Sequence, residues 1–557
     1  MGIFEDNLSA VKYGFSELHE RMIRIGPDKC RTDFKQIENM ETLVPTGAIV
    51  VETVESDVIR LNSAYDPEHE AAVWVNAQKG IESQNIFVFG LGNGSFARAI
   101  LRKKGRKSRM VIYEPSAQLF QFAARHYDLT EFFQTPGVRV VIEGLNEDMY
   151  SGVMEEMLTV ENYESKVFLV CPQFGRLFPE SRKRFVDGYL DGVGRIMSNK
   201  NTVRRFLHIS PYNQLHNLRY LESNTVVPKL ARVWEKDVPV IIIGAGPSLQ
   251  NDIELLKKYH DQAFLFAVDS ALPLLLRENV IPDAYICIEA DKPLYFFEDE
   301  RAKKIPLFAR INTTHKLLDM HEGVKVFGYD DGFPEMVYEK YQVPVSHFRY
   351  GGNGATSFFA ICRELGVKNV ILSGQDMAYA ADHTSHAGGR DEGYTEEERF
   401  VYEANQGGMV QSRQDWHRFI KWYENAIPVC RFDHVINIAP LGAKIRGTEY
   451  MPLEKALEQY GKNHSSVEKL AADSEKTFEG GKDFLLKPFY EQCMDELARI
   501  KECVEQDPRN EKRKEPGVYK LLELYEIADA EEDFRKSQSD GLEKISGFLQ
   551  DCIKEGP

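Results

Sequence analysis

Apolar and polar positions along the chain fall into four rhythms. Residues 1 to about 80 combine a helical spacing over 8–25 with two short strand-like runs, Gly47-Ala48-Ile49-Val50-Val51 and Val58-Ile59-Arg60-Leu61. Asp66-Pro67-Glu68 reads as a helix start, because the carboxylate can accept a first-turn amide and proline needs no donor there. From Asn85 to about Asn199 short apolar runs alternate with helical stretches. Strands are predicted at 86–90, 110–114, 138–142 and 167–170, with a helix over 96–102. Strands that are apolar on both faces and separated by helices predict a parallel sheet covered on both sides.

Residues 201–235 are polar with helical spacing and are predicted to bridge two domains. A second alternating segment opens at Val238-Pro239-Val240-Ile241-Ile242-Ile243, with further strands over 263–268, 284–288, 306–309, 325–328 and 369–373. Beyond about Leu453 the chain is charged and amphipathic, with helices predicted at 485–504 and 518–536, punctuated by Gly480-Gly481 and Asp507-Pro508. The expected fold class is therefore α/β: two Rossmann-like parallel-sheet domains followed by an α-helical C-terminal region. The expected boundaries are 1–80 (α+β segment), 81–200 (accessory domain), 201–235 (helical linker), 236–452 (central domain) and 453–557 (helical domain).

Composition narrows the function classes. A chain of 557 residues, 43% hydrophobic, has ample core material for several domains. Its formal net charge of −17 argues against broad nucleic-acid binding, which needs a basic face to displace counterions. The start of the chain has no basic segment followed by an apolar run, and no stretch approaches a membrane span. Eight cysteines without a CxxC pair read as reduced thiols, so a cytoplasmic location is expected.

Candidate chemistry concentrates at loops that follow strands. Gly90-Leu91-Gly92-Asn93-Gly94 lies between a strand and a helix, and Glu114 ends the next strand. In dinucleotide-binding folds such glycines admit a ligand to the backbone and the acid takes ribose hydroxyls, although a tight turn alone explains the same pattern. A second loop, Gly244-Ala245-Gly246-Pro247-Ser248, sits in the same setting, where amides at a helix N-terminus suit a phosphate. Asp269-Ser270, Glu289-Ala290-Asp291 and Gly374-Gln375-Asp376 follow three further strands, and open parallel sheets bind ligands at that edge. Gly351-Gly352-Asn353-Gly354-Ala355-Thr356-Ser357 opens an apolar helix, which suits either a ligand or close packing. In the polar loop 382–390 a helical reading puts His383 and His386 on one face, but the spacing completes no metal motif, and none is expected. Histidine beside a ligand edge is better suited to proton transfer or a phosphate contact.

These motifs resemble the bacterial Maf (motility-associated factor) family of flagellin glycosyltransferases. The resemblance rests on GAGPSL at 244–249, PDAYICIEAD at 282–291, NGATS at 353–357 and LSGQDMAY at 372–379, together with the loop reaching His386 and Gly442-Ala443-Lys444-Ile445-Arg446-Gly447. It spans essentially the whole chain. The central domain also resembles the family 42 sialyltransferases. That comparison implies cytidine-nucleotide contacts at Gly246, Pro247 and Ser248, with Gly354 and Ala355 beside the cytosine. Asp269 and Glu289 stand where those enzymes place asparagines, and Asp376 matches a motif aspartate. One departure is that the segment holding the sialyltransferase histidine reads Val410-Gln411-Ser412-Arg413 here, leaving His386 as a substitute candidate for the base.

The resemblance implies transfer of a nonulosonic acid from a CMP-activated donor to Ser or Thr of flagellin, with no additional cofactor. The implied nucleotide-binding set is Gly244, Gly246, Pro247, Ser248, Asp269, Ser270, Asn353, Gly354, Ala355, Thr356, Asp376 and Tyr379, and the catalytic set is His386, Asp269 and Glu289. A second relative is the shorter pterin diphosphokinase group, which shares the GAGPSL-type domain. It implies a Mg²⁺-dependent alternative with Asp269, Glu289, Asp291 and Asp376 as oxygen ligands. A non-catalytic flagellin-binding protein is a third alternative.

Overall fold

A computed structural model describes residues 2–14, 18–20, 22, 34–38, 45–52, 58–160, 162–221, 225–330, 332–346, 350–388, 400–476, 486–507, 511–529 and 534–555. By its internal contacts the chain divides into two units, residues 1–202 and 203–557.

In the first unit, β1 (Phe34–Glu38), β2 (Pro45–Glu52) and β3 (Val58–Arg60) form an antiparallel sheet. The first helix is Ile3–Gly14, five residues earlier than the periodicity predicts. Helix Pro67–Ala77 begins as its sequence requires, with the Asp66 side chain accepting the His69 amide at 2.9 Å. Four parallel strands follow, namely β4 (Asn85–Phe89), β5 (Arg109–Glu114), β6 (Val138–Ile142) and β7 (Lys166–Val170), in the order β6-β5-β4-β7. Every residue of β4 is buried, which is why its sequence is an unbroken apolar run after Asn85.

The second unit is built on a nine-stranded parallel sheet. Its strands are β8 (Thr225–Val226), β9 (Val240–Ile243), β10 (Phe264–Val268), β11 (Ala284–Cys287), β12 (Leu307–Ala309), β13 (Lys325–Phe327), β14 (Asn369–Ser373), β17 (His434–Asn437) and β18 (Glu449–Tyr450). A separate antiparallel hairpin pairs β15 (Phe400–Glu403) with β16 (Met409–Ser412). The sheet order is β18-β17-β14-β9-β10-β11-β12-β13-β8. The chain therefore steps outward from β9 through β13, then returns to the other side of β9 with β14. The strand order reverses between β9 and β14, and that is where a doubly wound sheet opens a crevice at its carboxyl edge.

Helix Gly354–Leu365 packs across the middle of this sheet, with Phe358 against Phe266 at 4.7 Å between ring centroids. Gly354 allows that approach, since a Cβ there would lie 3.1 Å from Ile286 Cγ2 and 3.3 Å from Val268 Cγ1. The C-terminal helices are Leu453–Tyr460, Val467–Lys476, Leu486–Gln506, Tyr519–Asp529 and Phe534–Glu555. The single helix predicted over 518–536 is thus two, and Gly480-Gly481 and Pro508 lie outside the described residues. Phe489, Tyr490, Leu522 and Ile545 belong to the same buried cluster as the strands of the large sheet. Among the described residues, no helix is long and apolar enough to cross a membrane.

Candidate functional site

The Gly244-Ala245-Gly246-Pro247-Ser248 loop leaves β9 and the Gly374-Gln375-Asp376 loop leaves β14, and the two grip each other. The Gly244 amide donates to the Ser373 carbonyl and the Gly246 amide to the Gly374 carbonyl, both at 2.8 Å. A Cβ on Gly246 would overlap Asp376 Oδ2 and lie 2.6 Å from the Gly374 carbonyl oxygen, and one on Gly244 would overlap Gln375 Nε2. The Ser248 amide and hydroxyl both donate to Asp376, the hydroxyl at 2.8 Å. These glycines therefore serve the approach of one loop to the other, and three amides expected to cradle phosphate are engaged within the protein. Burial pushes the Asp376 carboxyl up to about 6 despite its bonds from Ser248. Asp252, which accepts from the Ser373 hydroxyl at 2.8 Å, is pushed up to about 7 by burial, against that hydrogen bond and with the charge of Asp376 adding to the rise.

On the other flank of the crevice, Asp269 follows β10 and Glu289 follows β11. Lys292 bridges them, with Nζ 3.1 Å from Asp269 and 3.4 Å from Glu289. Its ammonium also lies 4.5 Å from the centre of the Phe296 ring. Burial raises the Asp269 carboxyl against the pull of Lys292, while burial works against the Lys292 charge and the two carboxylates carry it above its ordinary value. Asp269 is nearly enclosed, with a side chain 13% exposed, whereas the Glu289 side chain is 47% exposed and faces solvent. Sequence reasoning singled out both acids and missed Lys292; the signal was its place three residues after Glu289 on a strand-end loop.

Asn353 caps helix Gly354–Leu365, accepting the Thr356 amide at 2.8 Å, while the Thr356 hydroxyl reaches back toward the Asn353 amide. The polar atoms of this predicted pair are thus engaged in a capping box. Ala355 is buried behind them, and Gly354 lies against the ends of β10 and β11 near Asp269. Ser270 supplies a backbone hydrogen bond to the Asp269 carboxyl.

The segment after Asp376 is not helical. Met377 and His383 adopt positive φ of 48° and 67°, and His383 and His386 do not share a helix face. The loop folds back so that the Ala387 amide donates to the Ala245 carbonyl at 2.9 Å, bringing His386 beside the Gly244–Ser248 loop, with its Nδ1 2.9 Å from the Ser385 hydroxyl. Gly389 and Arg390 lie outside the described residues. Tyr379 bonds through its amide to the Gln411 carbonyl and packs on Trp416, over which Arg413 also lies at 4.1 Å. The Val410-Gln411-Ser412-Arg413 segment is thus a strand edge against Tyr379, with Ser412 Oγ donating to the Met377 carbonyl. The Gly442-Ala443 turn closes the back of the site through an Ala443 amide bond to the Asp376 carbonyl at 2.7 Å. Among the described residues, no group of three or more His, Cys, Asp or Glu side chains gathers in metal-holding geometry.

The glycine loop of the first unit is filled by the protein itself. Glu114 is fully buried and accepts the Leu91 and Gly92 amides at 2.9 and 3.0 Å, plus the Ser116 amide. A Cβ on Gly90 would overlap Phe174, and one on Gly94 would lie 2.9 Å from Phe132. Glu114 is engaged with the loop, where a dinucleotide fold would turn it to a ribose.

The second unit is, by fold and crevice, a doubly wound α/β scaffold with its polar groups at the switch point. A family model described as 6-hydroxymethylpterin diphosphokinase MptE-like matches residues 212–382, which covers the strands from β8 to β14. An uncharacterised protein of Treponema pallidum (strain Nichols) is 29% identical over 143 residues, 26% of this chain; the match spans 65% of that relative's length. The solved structure of the MAf glycosyltransferase from Magnetospirillum magneticum AMB-1 aligns over 99% of this chain and 90% of its own, at 12% identity and a TM-score of 0.49.

Proposed function

We propose that the crevice at the carboxyl edge of β9, β10, β11 and β14 binds a CMP-activated nonulosonic acid, which the protein transfers to Ser or Thr hydroxyls of flagellin in the cytoplasm. The observation that carries this reading is the convergence of Asp269, the Glu289–Lys292 pair, the start of helix Gly354–Leu365 and the Asp376 loop at one sheet edge. Lys292 and the positive end of that helix's dipole supply positive potential for a single phosphate. Asp269 and Glu289 supply negative field for an oxocarbenium-like sugar as the C–O bond to the phosphate breaks. His386 takes the acceptor hydroxyl proton as the new glycosidic bond forms, and CMP leaves with the bond electrons.

The description of the matched family favours a second reading, a Mg²⁺-dependent diphosphokinase. One assay separates the two. The protein is incubated with CMP-nonulosonate and flagellin, or with ATP, Mg²⁺ and a hydroxymethylpterin, each with and without EDTA. EDTA-resistant glycosylation of flagellin, lost by about 10² to 10⁴ in His386→Ala with CMP binding kept, is the expected result. EDTA-sensitive diphosphate transfer would replace this reading with the second. Flagellin binding without either turnover would leave a non-catalytic partner.

A further inference from the structure

The helix Ser210–His216 and the turn Asn217–Tyr220 belong to the stretch whose sequence predicts only a bridge between domains. Their side chains do something more specific. Asn213 is fully buried, and its Nδ2 donates to the Ala290 carbonyl at 2.8 Å and the Asn312 carbonyl at 3.2 Å. Its Oδ1 accepts from the His315 backbone amide at 3.2 Å and lies 2.8 Å from His315 Nδ1. One turn on, Asn217 Nδ2 donates to the Ile311 and Thr313 carbonyls at 2.8 and 2.7 Å. The strands β11 and β12 have ended by Cys287 and Ala309, so two side-chain amides continue the ladder where backbone pairing stops. The Thr314 amide closes the same lattice on the Glu289 carbonyl at 3.0 Å.

The partners also decide a tautomer. Two carbonyls can only accept and a backbone N–H can only donate, so the Asn213 amide has one orientation, with Oδ1 toward His315. His315 Nδ1 must then carry a proton, and in the neutral ring Nε2 holds the lone pair. The match to the diphosphokinase-like family begins at Tyr212, so it includes this clamp.

We infer that Asn213 is a positioning residue of the site: its amide ties the Glu289–Lys292 loop to the loop 310–315 and holds His315 as the Nδ1–H tautomer. The inference rests on the nucleotide-sugar reading for its effect on ligand, while its structural half stands without it. Removing the tie frees the loop that carries Glu289 and Lys292, and misplacement on the order of 1 Å can cost a reaction about 10²-fold in rate.

The test uses the full chain. In the wild type, ¹⁵N chemical shifts of the His315 ring are read at alkaline pH, where the imidazole is neutral. The Nδ1–H form is expected, and the Nε2–H form would overturn the assignment without any mutation. Asn213→Ala and Asn213→Asp are then compared by hydrogen exchange and by calorimetry with CMP. The Asp variant keeps an acceptor for His315 but loses both donors. Both variants are expected to speed exchange over 287–292 and 310–315 and to weaken CMP binding at least tenfold. Asn7→Ala is the matched control: Asn7 is also fully buried, bridges the Ala124 and Tyr127 carbonyls and accepts the Leu129 amide, yet lies in the other unit. It is expected to leave CMP affinity unchanged. Faster exchange over those segments with unchanged affinity would overturn the positioning role. A wild type that binds no CMP would overturn the nucleotide-sugar reading instead, and the clamp is then judged on the tautomer and the exchange rates alone.

Discussion

At the scale of single residues, the glycines that draw the eye in the sequence are explained by neighbours that sequence does not display. Gly246 has Asp376 where a side chain would go. Gly246→Ala is expected to lose about 1–3 kcal/mol of stability with or without nucleotide, as for other overpacked sites, measured by urea unfolding. A variant as stable as the wild type would mean that the two loops are not in contact. Lys292 poses the opposite problem. A lysine three residues after a glutamate in a polar loop looks like an ordinary solvated charge, and only the fold turns it inward onto Asp269. Lys292→Met would leave the enclosed Asp269 without its cation. Breaking a buried pair on one side typically costs about 3–5 kcal/mol, and the higher exposure of Glu289 places the expected loss near the low end. The same variant is expected to lose CMP affinity. Retained affinity, read by calorimetry, would remove Lys292 from the phosphate site.

At the scale of elements, both units repeat strand, glycine loop and helix, and in both the loop is filled by protein groups. In the first unit the filling group titrates. Burial pushes Glu114 up to about 7, against three backbone hydrogen bonds that favour its charge. The folded protein therefore binds this proton more tightly than the unfolded chain does. The contribution is fully present below the ordinary carboxylate range and is lost as pH rises through about 7, a span worth on the order of 2–4 kcal/mol. Exchange of the Leu91 and Gly92 amides, corrected for intrinsic rate, should therefore show a loop that opens more readily at pH 8 than at pH 5 by an amount that Glu114→Gln abolishes. A pH-independent opening free energy in the wild type would show that Glu114 keeps an ordinary carboxylate pKa. The longer strands, β4 to β7, β9 to β11 and β14, were legible because each is an apolar run that ends at a polar or glycine-bearing loop. β8, β17 and β18 were not, being two to four residues long and partly polar at Thr225, His434 and Glu449. The His383–His386 loop misled for a different reason: helical spacing was present, but positive φ at Met377 and His383 bends the chain back onto Ala245. The carboxylates of the candidate site were readable as strand-end residues. The groups that hold them in place were harder to read, since Lys292 looks like a solvated charge beside Glu289 and Asn213 lies in a stretch that predicts only a bridge between domains.

At the scale of the whole molecule, each unit has its own buried core, one built on β4 to β7 and one on the nine-stranded sheet with the C-terminal helices. A ligand that binds one folded unit should stabilise that unit by mass action, by about 2.7 kcal/mol at a hundred times its dissociation constant. The candidate crevice lies wholly in the second unit, and the glycine loop of the first is closed by Phe174 and Glu114. CMP is therefore expected to slow hydrogen exchange throughout β9 to β14 and to leave β4 to β7 unchanged. The acidity of the crevice sets the second half of the expectation. A triphosphate brought beside Asp269, Glu289 and Asp376 meets like charge, with Lys292 already shared between two of these acids. Such a ligand needs a divalent cation to enter, whereas a single phosphate is within the reach of one ammonium and a helix start. EDTA should thus leave protection by CMP intact and abolish any protection by ATP. Protection by ATP and Mg²⁺ that exceeds that by CMP would move the function to diphosphate transfer, and protection of β4 to β7 by either nucleotide would mean that the first glycine loop opens to a ligand after all.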